Sequence, residues 1–346
     1  MGQRGDDDRH AWERRGTFEV AAGVHRIPLP LPGDGLKAVN VYAIEQPDGV
    51  VLIDAGWALG EAREHLEEGL AALDVDLGSV RRVLVTHAHR DHYEQGMHLR
   101  REFGARLALG VGERDGLEQL IDRPPPEENP MLHRLQRAGA DPLIEVLARA
   151  WEQREAGGEE IEWSLPDHWL TDGEVLELEG RRLSVVHTPG HTQGHVVFVD
   201  HDAGLLFSGD HVLPHITPSI GFEQIPVDSA LADYLASLAL VRGMPDLEML
   251  PAHGPVRPTT HDRVDELMAH HEERLRASLK AVLDGHATVY DVAGAIGWTR
   301  RNTPFGELDP FNQMLAVNET AAHLDVLVRR EELDVVEVHG VSHYAA

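Results

Sequence analysis

The sequence predicts an α/β fold in which short strands end in loops that carry histidine and aspartate. Four short, mostly apolar runs are typical of buried strands: residues 83–85, 183–186, 205–207 and 247–250. A histidine or an aspartate follows each run within three residues. Leucine and alanine recur at helical spacing over residues 59–73, which predicts an amphipathic helix between two strands. Loops at one edge of a rigid sheet are a common location for active sites.

The first part of the chain follows this pattern in order. Residues 1–17 are expected to be flexible. Residues 24–43 predict two strands, and residues 46–49 predict a turn into a strand that ends at Asp54. Residues 94–103 predict a second helix, which Gly104 ends. The strand pattern then disappears between residues 113 and 167, where we expect helices at 114–121, 130–138 and 142–154.

The most informative motif is THAHRDH, which places His87, His89, Asp91 and His92 within six residues. Imidazole and carboxylate groups together suit Zn(II), Fe(II) or Mn(II) better than Ca(II). We expect the motif on a loop after a strand, because ligands at this spacing would scatter around a helix. The alternative interpretation is a polar turn in a chain that has 23 histidines.

Three further groups repeat the arrangement of strand, turn and ligand-type residue. His191 follows the turn at Pro189–Gly190, Asp210 lies in SGDH, and His253 lies in PAHG. His187 and His195, which flank His191, are interpreted as turn or supporting residues. Taken singly these groups are weak signals, but their repetition predicts one metal-binding site.

In order and approximate spacing, these motifs resemble those of the metallo-β-lactamase superfamily, and Asp54 in VLIDAG resembles its first motif. The resemblance covers about residues 20–260. It implies that residues 18–262 form a four-layer αββα sandwich, with residues 113–167 as a helical insertion. This insertion is interpreted either as a cap over the substrate pocket or as a packing layer or dimer contact.

The resemblance also implies the roles of the site residues. One divalent metal ion would be held by His87, His89 and His191, and a second by Asp91, His92 and His253. Asp210 would bridge the two ions. Asp54 would orient a ligand imidazole, as outer residues of metal sites commonly do, and Asp91 would also steer the attacking water.

This ligand set indicates a hydrolase that uses a metal-bridging hydroxide on a small ester, thioester or lactone. Bound metal lowers the pKa of water from about 15.7 to about 7. Zn(II) is the first expectation, with Fe or Mn as alternatives. The absence of cysteine and of a Gly-x-Ser-x-Gly motif argues against thiol and serine nucleophiles. A phosphodiesterase or endoribonuclease, a mononuclear iron oxygenase and a metal-responsive DNA-binding regulator remain alternative functions.

Residues 263–346 predict a small winged-helix-like domain, which resembles a domain found in some members of the superfamily. Helices are expected at 264–283, up to Ile296 and at 311–330, followed by a hairpin of residues 335–338 and 341–344. From Arg263 onward there are 8 basic and 14 acidic residues, a net charge of −6. Nucleic-acid binding needs a basic face, so this composition argues against it.

The amino-acid composition limits the kinds of partner that the protein is expected to bind. The formal net charge is −28, which argues against polyanionic substrates and favours a small-molecule substrate. No apolar run approaches the roughly 18 residues that span a bilayer, so we expect no membrane contact. A chain with no cysteine fits a reducing compartment, and we expect a cytoplasmic protein and a homodimer contact as an option.

Three more residues are candidates for substrate contact. Tyr93 follows the first motif and could present its hydroxyl, with a packed core tyrosine as the alternative. His211 and His215 lie close in sequence to Asp210 and could also touch substrate. Glu94 and Gln95 stand where many members of the superfamily carry glycine.

Overall fold

The computed structural model describes residues 10–32, 35–123, 125, 128–155, 161–228, 230–299 and 301–346. The strands before the helical insertion are β1 Phe18–Ala21, β2 Val24–Pro30, β3 Ala38–Gln46, β4 Gly49–Ile53, β5 Val80–Val85 and β6 Arg106–Gly110. Helices α1 Gly60–Ala71 and α2 Arg90–Phe103 alternate with them. The insertion contains α3 Arg114–Asp122, α4 Pro130–Arg137 and α5 Asp141–Glu155, as its pattern predicts.

The second half begins with β7 His168–Leu170, β8 Val175–Leu178, β9 Arg181–His187, β10 Val196–Asp200 and β11 Leu205–Gly209. Helix α6 Ala230–Gly243 and strand β12 Glu248–Pro251 follow. The C-terminal elements are α7 His261–Leu283, α8 Val289–Ala295, α9 Pro310–Arg329, β13 Asp334–Val338 and β14 Val341–Ala345. The predicted order of three helices and a hairpin is therefore confirmed, while the winged-helix assignment stays a prediction.

Two mixed sheets form the centre of the fold. The first has seven strands in the order β1 to β7, antiparallel up to β4 and parallel from β4 to β7. The second has five strands in the order β12-β11-β10-β9-β8, in which only β11 and β12 are parallel. Parallel neighbours end at the same sheet edge, so the loops after β4, β5, β11 and β12 can meet.

Successive side chains of a strand point to opposite faces of its sheet, and this alternation creates the layers. On β10, Phe198 points into the core between the sheets with Tyr42 and Phe207, whereas Val197 and Val199 point into the core beneath the helices. Helices α1 and α2 cover the outer face of the first sheet through residues such as Leu66. The predicted order of helix, sheet, sheet and helix is present.

The insertion is divided between two layers. Leu117 of α3 packs into the core of the first sheet, whereas Leu135 of α4 and Leu143 and Leu147 of α5 pack among the helices outside the second sheet. Helices α4 and α5 contact α9. The described part of the insertion is thus a packing layer, and its role as a cap stays a prediction.

The C-terminal helices share one core with the catalytic layers. Helix α7 begins at His261, so the predicted domain boundary at residues 262 and 263 falls within it. Asp309 caps α9 by accepting hydrogen bonds from the backbone N–H groups of Phe311 and Asn312, and Pro310 occupies the first turn. Buried positions occur around α9 on all sides, from Met314 to Leu327.

One local prediction needs correction. Helix α2 begins at Arg90, so Asp91 and His92 lie in its first turn, not on the predicted loop. Only part of the predicted flexible N-terminus can be judged, because residues 1–9 lie outside the described residues. Within residues 10–17, the Trp12 carbonyl accepts a hydrogen bond from Arg26, and Thr17 donates one to the Gly69 carbonyl. No helix in the described ranges is long and apolar enough to cross a membrane.

Candidate metal centre

The first motif is built at the junction of β5 and α2. Strand β5 ends at Val85, and His87 and His89 lie on the connection to the helix. Asp91 and His92 follow in the first turn, where the N–H groups of His92 and Tyr93 bond to the His89 carbonyl. The turn thus directs four ligand-type side chains to one edge of the sheet.

The later motifs reach the same edge from the second sheet. His191 follows β9, Asp210 follows β11 directly, and His253 follows β12. Among the described residues, ligand atoms within 4.8 Å of one another form three groups: His87, His89 and His191; His87, His92 and Asp210; and Asp91, His92 and His253. The first and third groups are the two sets that the sequence resemblance implies.

Asp210 lies between the two sets. Its Oδ2 is 3.6 Å from His191 Nε2, whereas its Oδ1 is 3.7 Å from His92 Nε2 and 3.4 Å from His253 Nε2. One carboxylate oxygen therefore faces each set, which is the geometry that a bridging ligand requires.

Hydrogen bonds behind the imidazoles set their orientation. The Nδ1 atoms of His191 and His253 lie 2.8 and 2.7 Å from the carbonyl oxygens of Ser219 and Ala38. Because a carbonyl oxygen only accepts, both Nδ1 atoms carry the proton and donate. Each Nε2 then presents its lone pair to the site, as a metal ligand must.

Asp54 supports His92 directly and His87 through Thr86. The Asp54 carboxylate accepts from His92 Nδ1 at 2.9 Å and from the Thr86 N–H at 2.8 Å. The Thr86 hydroxyl donates to the same carboxylate, so it can accept from His87 Nδ1, which is 3.1 Å away. The predicted orienting role of Asp54 fits this geometry and extends to a second imidazole.

Buried polar atoms without a partner test whether a metal fits. His87 Nε2, His92 Nε2, His253 Nε2 and Asp210 Oδ1 are buried and have no hydrogen-bond partner among the described residues. Such atoms are costly unless something satisfies them. A divalent cation in each set would coordinate all four, so the residues fit the group.

The two sets differ in charge. Burial, assisted by the neighbouring imidazoles, lowers the pKa of His87 well below its usual value and that of His89 to about 3, so both imidazoles are neutral. Burial also lowers the pKa of His92, but Asp91, Asp54 and Asp210 outweigh it and raise that pKa to about 10. Protons thus balance the carboxylates of the second set, and a bound cation would replace them.

Comparison with known proteins identifies the family. The model of the metallo-beta-lactamase superfamily matches residues 34–253, which is more than half of the chain. The chain belongs to the metallo-β-lactamase superfamily. The predicted membership in a superfamily of metal-dependent hydrolases is therefore confirmed, and the fold implies divalent metal ions.

Relatives within the metallo-β-lactamase superfamily include named thioester hydrolases. The chain is 32% identical over 160 residues to hydroxyacylglutathione hydrolase GloC of Haemophilus influenzae, which covers 46% of this chain and 59% of that protein. It is 32% identical over 120 residues to atrochrysone carboxyl ACP thioesterase AgnL7 of Paecilomyces divaricatus, covering 34% and 36%. The chain thus spans less than two thirds of the length of these curated relatives.

A solved structure resembles nearly the whole chain. The metallo-beta-lactamase family protein TTHA1429 from Thermus thermophilus superposes with a TM-score of 0.78 and 28% sequence identity. The match covers 94% of this chain and 99% of that protein. The similarity therefore includes the C-terminal elements as well as the metallo-β-lactamase sandwich.

The structure does not support two of the three predicted substrate contacts. Tyr93 is fully buried and donates its hydroxyl to the Ser164 carbonyl at 2.9 Å, so the expectation that it faces substrate is corrected. His211 is also fully buried, with its ring 5.3 Å from that of Tyr234, which does not support a substrate contact. His215 is half-buried on the segment after Asp210, and its role stays a prediction.

The remaining residues near the motifs have structural partners. His195 accepts from the Asp210 N–H through Nε2, and His187 Nε2 lies 2.7 Å from the Gln193 carbonyl, as supporting residues should. Glu94 accepts from the Arg90 guanidinium at 2.8 Å. Sequence reasoning missed Thr86, which stood in the first motif, and Glu113, whose buried carboxyl accepts from the Thr192 hydroxyl.

Proposed function

We propose that the protein is a binuclear metal-dependent hydrolase of a small ester, thioester or lactone. The observation that carries the proposal is the position of Asp210, with one oxygen facing each set of ligand-type residues. Cations held by these two sets could act on one substrate bond. His87, His89 and His191 would hold one ion, and Asp91, His92 and His253 the other.

When bound, the cations would supply hydroxide at neutral pH and polarise the substrate carbonyl. The protein side chains provide orientation. Asp91 is partly exposed, unlike His87 and His92, so its carboxylate can hold the attacking water by a hydrogen bond and accept its proton. His89 is also partly exposed, which indicates that substrate approaches from the side of these two residues.

The surroundings favour an acyl substrate with an apolar part. The Phe222 ring lies 6.1 Å from the His89 ring, and Phe311 of α9 lies 5.7 Å from Phe222 in an edge-to-face arrangement. Phe311 remains 41% exposed, so it offers an apolar surface beside the site. The relatives named as thioester hydrolases support a thioester as the first substrate to test.

Two observations oppose nucleic-acid substrates. The net charge of −28 repels phosphate backbones. Helix α9, which would be the recognition helix of a winged-helix domain, contacts α4, α5, α6, α7 and α8 and has buried residues from Met314 to Leu327. We infer that the winged-helix-like unit closes and stabilises the catalytic layers instead of binding DNA.

The decisive experiment combines elemental analysis of the purified protein with a panel of thioester, lactone and phosphodiester substrates. We expect close to two divalent ions per chain and turnover of a thioester or lactone that a chelator abolishes. A protein that hydrolyses only phosphodiesters, or hydrolyses thioesters equally well after complete metal removal, would refute the proposal. One iron per chain without hydrolytic turnover would point to an oxygenase.

A further inference from the structure

Glu113 connects the two loops that supply the proposed first metal set. It ends the single turn Val111–Glu113 after β6, and its side chain is buried. Its carboxyl accepts from the Thr192 hydroxyl, and the backbone N–H groups of Ala88 and Gly194 face it and lower its pKa. Ala88 lies between His87 and His89, and Thr192 follows His191, so one carboxyl touches the neighbours of all three histidines.

The backbone contact around Glu113 is unusually close and depends on glycine. A Cβ atom at Gly110 would lie 2.0 Å from the Gly194 carbonyl oxygen, and one at Gly112 would lie 2.6 Å from the Gln193 carbonyl oxygen. A Cβ atom at Gly194 would lie 2.1 Å from the Glu113 nitrogen. Only residues without a side chain allow the two segments to meet here.

A buried acid at this contact is costly to the fold. Burial raises the pKa of Glu113 to about 7, although the hydrogen bonds from Thr192, Ala88 and Gly194 act in the opposite direction. An apolar residue would avoid that cost. A carboxyl group, however, has enough lone pairs to accept from the Thr192 hydroxyl and still face N–H groups of both loops.

We infer that Glu113 is a positioning residue, which fixes the spacing between His89 and His191 and thereby sets the metal affinity of the first set. His89 Nδ1 and His191 Nε2 are 3.1 Å apart, so the two loops must be held within a narrow distance for both atoms to face one cation. Outer residues of metal sites typically contribute about 10- to 100-fold to metal affinity. The inference rests on the proposed metal-binding function but not on any substrate.

The test measures zinc affinity by competition with a chelator, together with the visible spectrum of the cobalt-substituted protein. Glu113→Ala should weaken zinc binding at the first set by about 10- to 100-fold and change the cobalt spectrum. Glu113→Gln keeps one acceptor oxygen and should recover part of the affinity. These readouts do not depend on hydrolysis, so a protein that binds metal but turns over no substrate would refute the proposed function alone.

Asp200→Ala is the matched control. Asp200 is also a buried carboxylate, paired with Arg181 at 2.6 Å, but it lies at the end of β10 remote from His195. Its loss should lower thermal stability and leave zinc affinity unchanged. If Glu113→Ala does not fold, Thr192→Val, which removes only the hydroxyl donor, takes its place. Wild-type affinity and an unchanged cobalt spectrum in the folded variant would overturn the inference.

Discussion

Two clusters of buried histidines in the described part of the chain behave differently. In the metal centre, His191 and His253 direct Nδ1 outward to carbonyl oxygens and Nε2 inward. In the helical layer, His271 of α7 and His323 of α9 stack with ring centroids 5.3 Å apart, and their Nδ1 and Nε2 atoms are 3.2 Å apart. In both clusters two imidazole nitrogens lie close together, because His89 Nδ1 and His191 Nε2 of the centre are 3.1 Å apart.

The two clusters differ in the carboxylates near their histidines and therefore in the pKa values of those histidines. Asp91 and Asp210 raise the pKa of His253 against the effect of burial. Burial lowers the pKa of His271 well below its usual value, and nearby His323, His270 and Arg274 lower it further. No group of potential ligands in the described part of the chain includes His271 or His323. The two clusters therefore differ in the carboxylates that stand among the rings of the centre, since His323 Nδ1 of the helical pair also lies 2.7 Å from a backbone carbonyl, that of Glu319.

The largest expected effect, a loss of turnover and metal content, comes from removing a histidine of the metal centre. Removing one from the helical pair is the comparison. His89→Ala should abolish turnover and lower the metal content, because His89 supplies a ligand atom of the first set. His271→Ala removes the same imidazole group from the helical pair and should leave the metal content unchanged. Elemental analysis and thioester turnover measure both variants. Equal metal loss in the two variants would contradict the distinction.

Substitutions of Asp54 test how much the orientation of the His92 imidazole contributes to metal affinity. Asp54→Ala should weaken metal affinity by about 10- to 100-fold, because His92 loses its acceptor. Asp54→Asn preserves the shape and tolerates the backbone φ of 58°. Its amide would nevertheless donate toward His92, which disfavours the ligand tautomer. We therefore expect the two variants to lose similar affinity in chelator competition, with Asp54→Asn the more stable protein.

A purely packing role for Asp54 predicts a different result. In that case Asp54→Asn would bind metal like the wild-type protein, and only Asp54→Ala would be impaired. Thermal unfolding of both variants, measured beside the chelator titration, separates lost stability from lost affinity.

The sequence predicted one cluster and not the other for a physical reason. The ligands of the metal centre occur in short motifs after strands, and strand edges bring such motifs together, so His87 and Asp210 could be assigned from local patterns. His271 and His323 are 52 positions apart in the chain, and only the packing of α7 against α9 makes them neighbours. The sequence left Tyr93 open between a substrate contact and a packed core tyrosine, because a sequence does not show which way a side chain points.

Helix α6 and Glu113 escaped prediction for related reasons. Helix α6 is apolar on nearly all faces, so it lacks the stripe that reveals an amphipathic helix. Glu113 lies among charged residues and glycines, a composition typical of an exposed turn, and its burial follows from the close approach of the His191 loop.

Acidification should produce the smallest effect, a loss of folding stability that arises in the helical histidine pair. Burial lowers the pKa of His323 to about 3, with nearby Arg274 and His270 acting in the same direction. The unfolded chain therefore binds a proton first as the pH falls below about 6.5, and the stability contributed by neutral His323 is lost between that pH and about 3. Between pH 7 and pH 5 this single group should cost about 2 kcal/mol. His323→Gln, which cannot titrate, should lose that much less stability than the wild-type protein over the same interval. Denaturant unfolding at both pH values measures the difference, and parallel losses in the two proteins would show that His323 already binds its proton normally in the folded state.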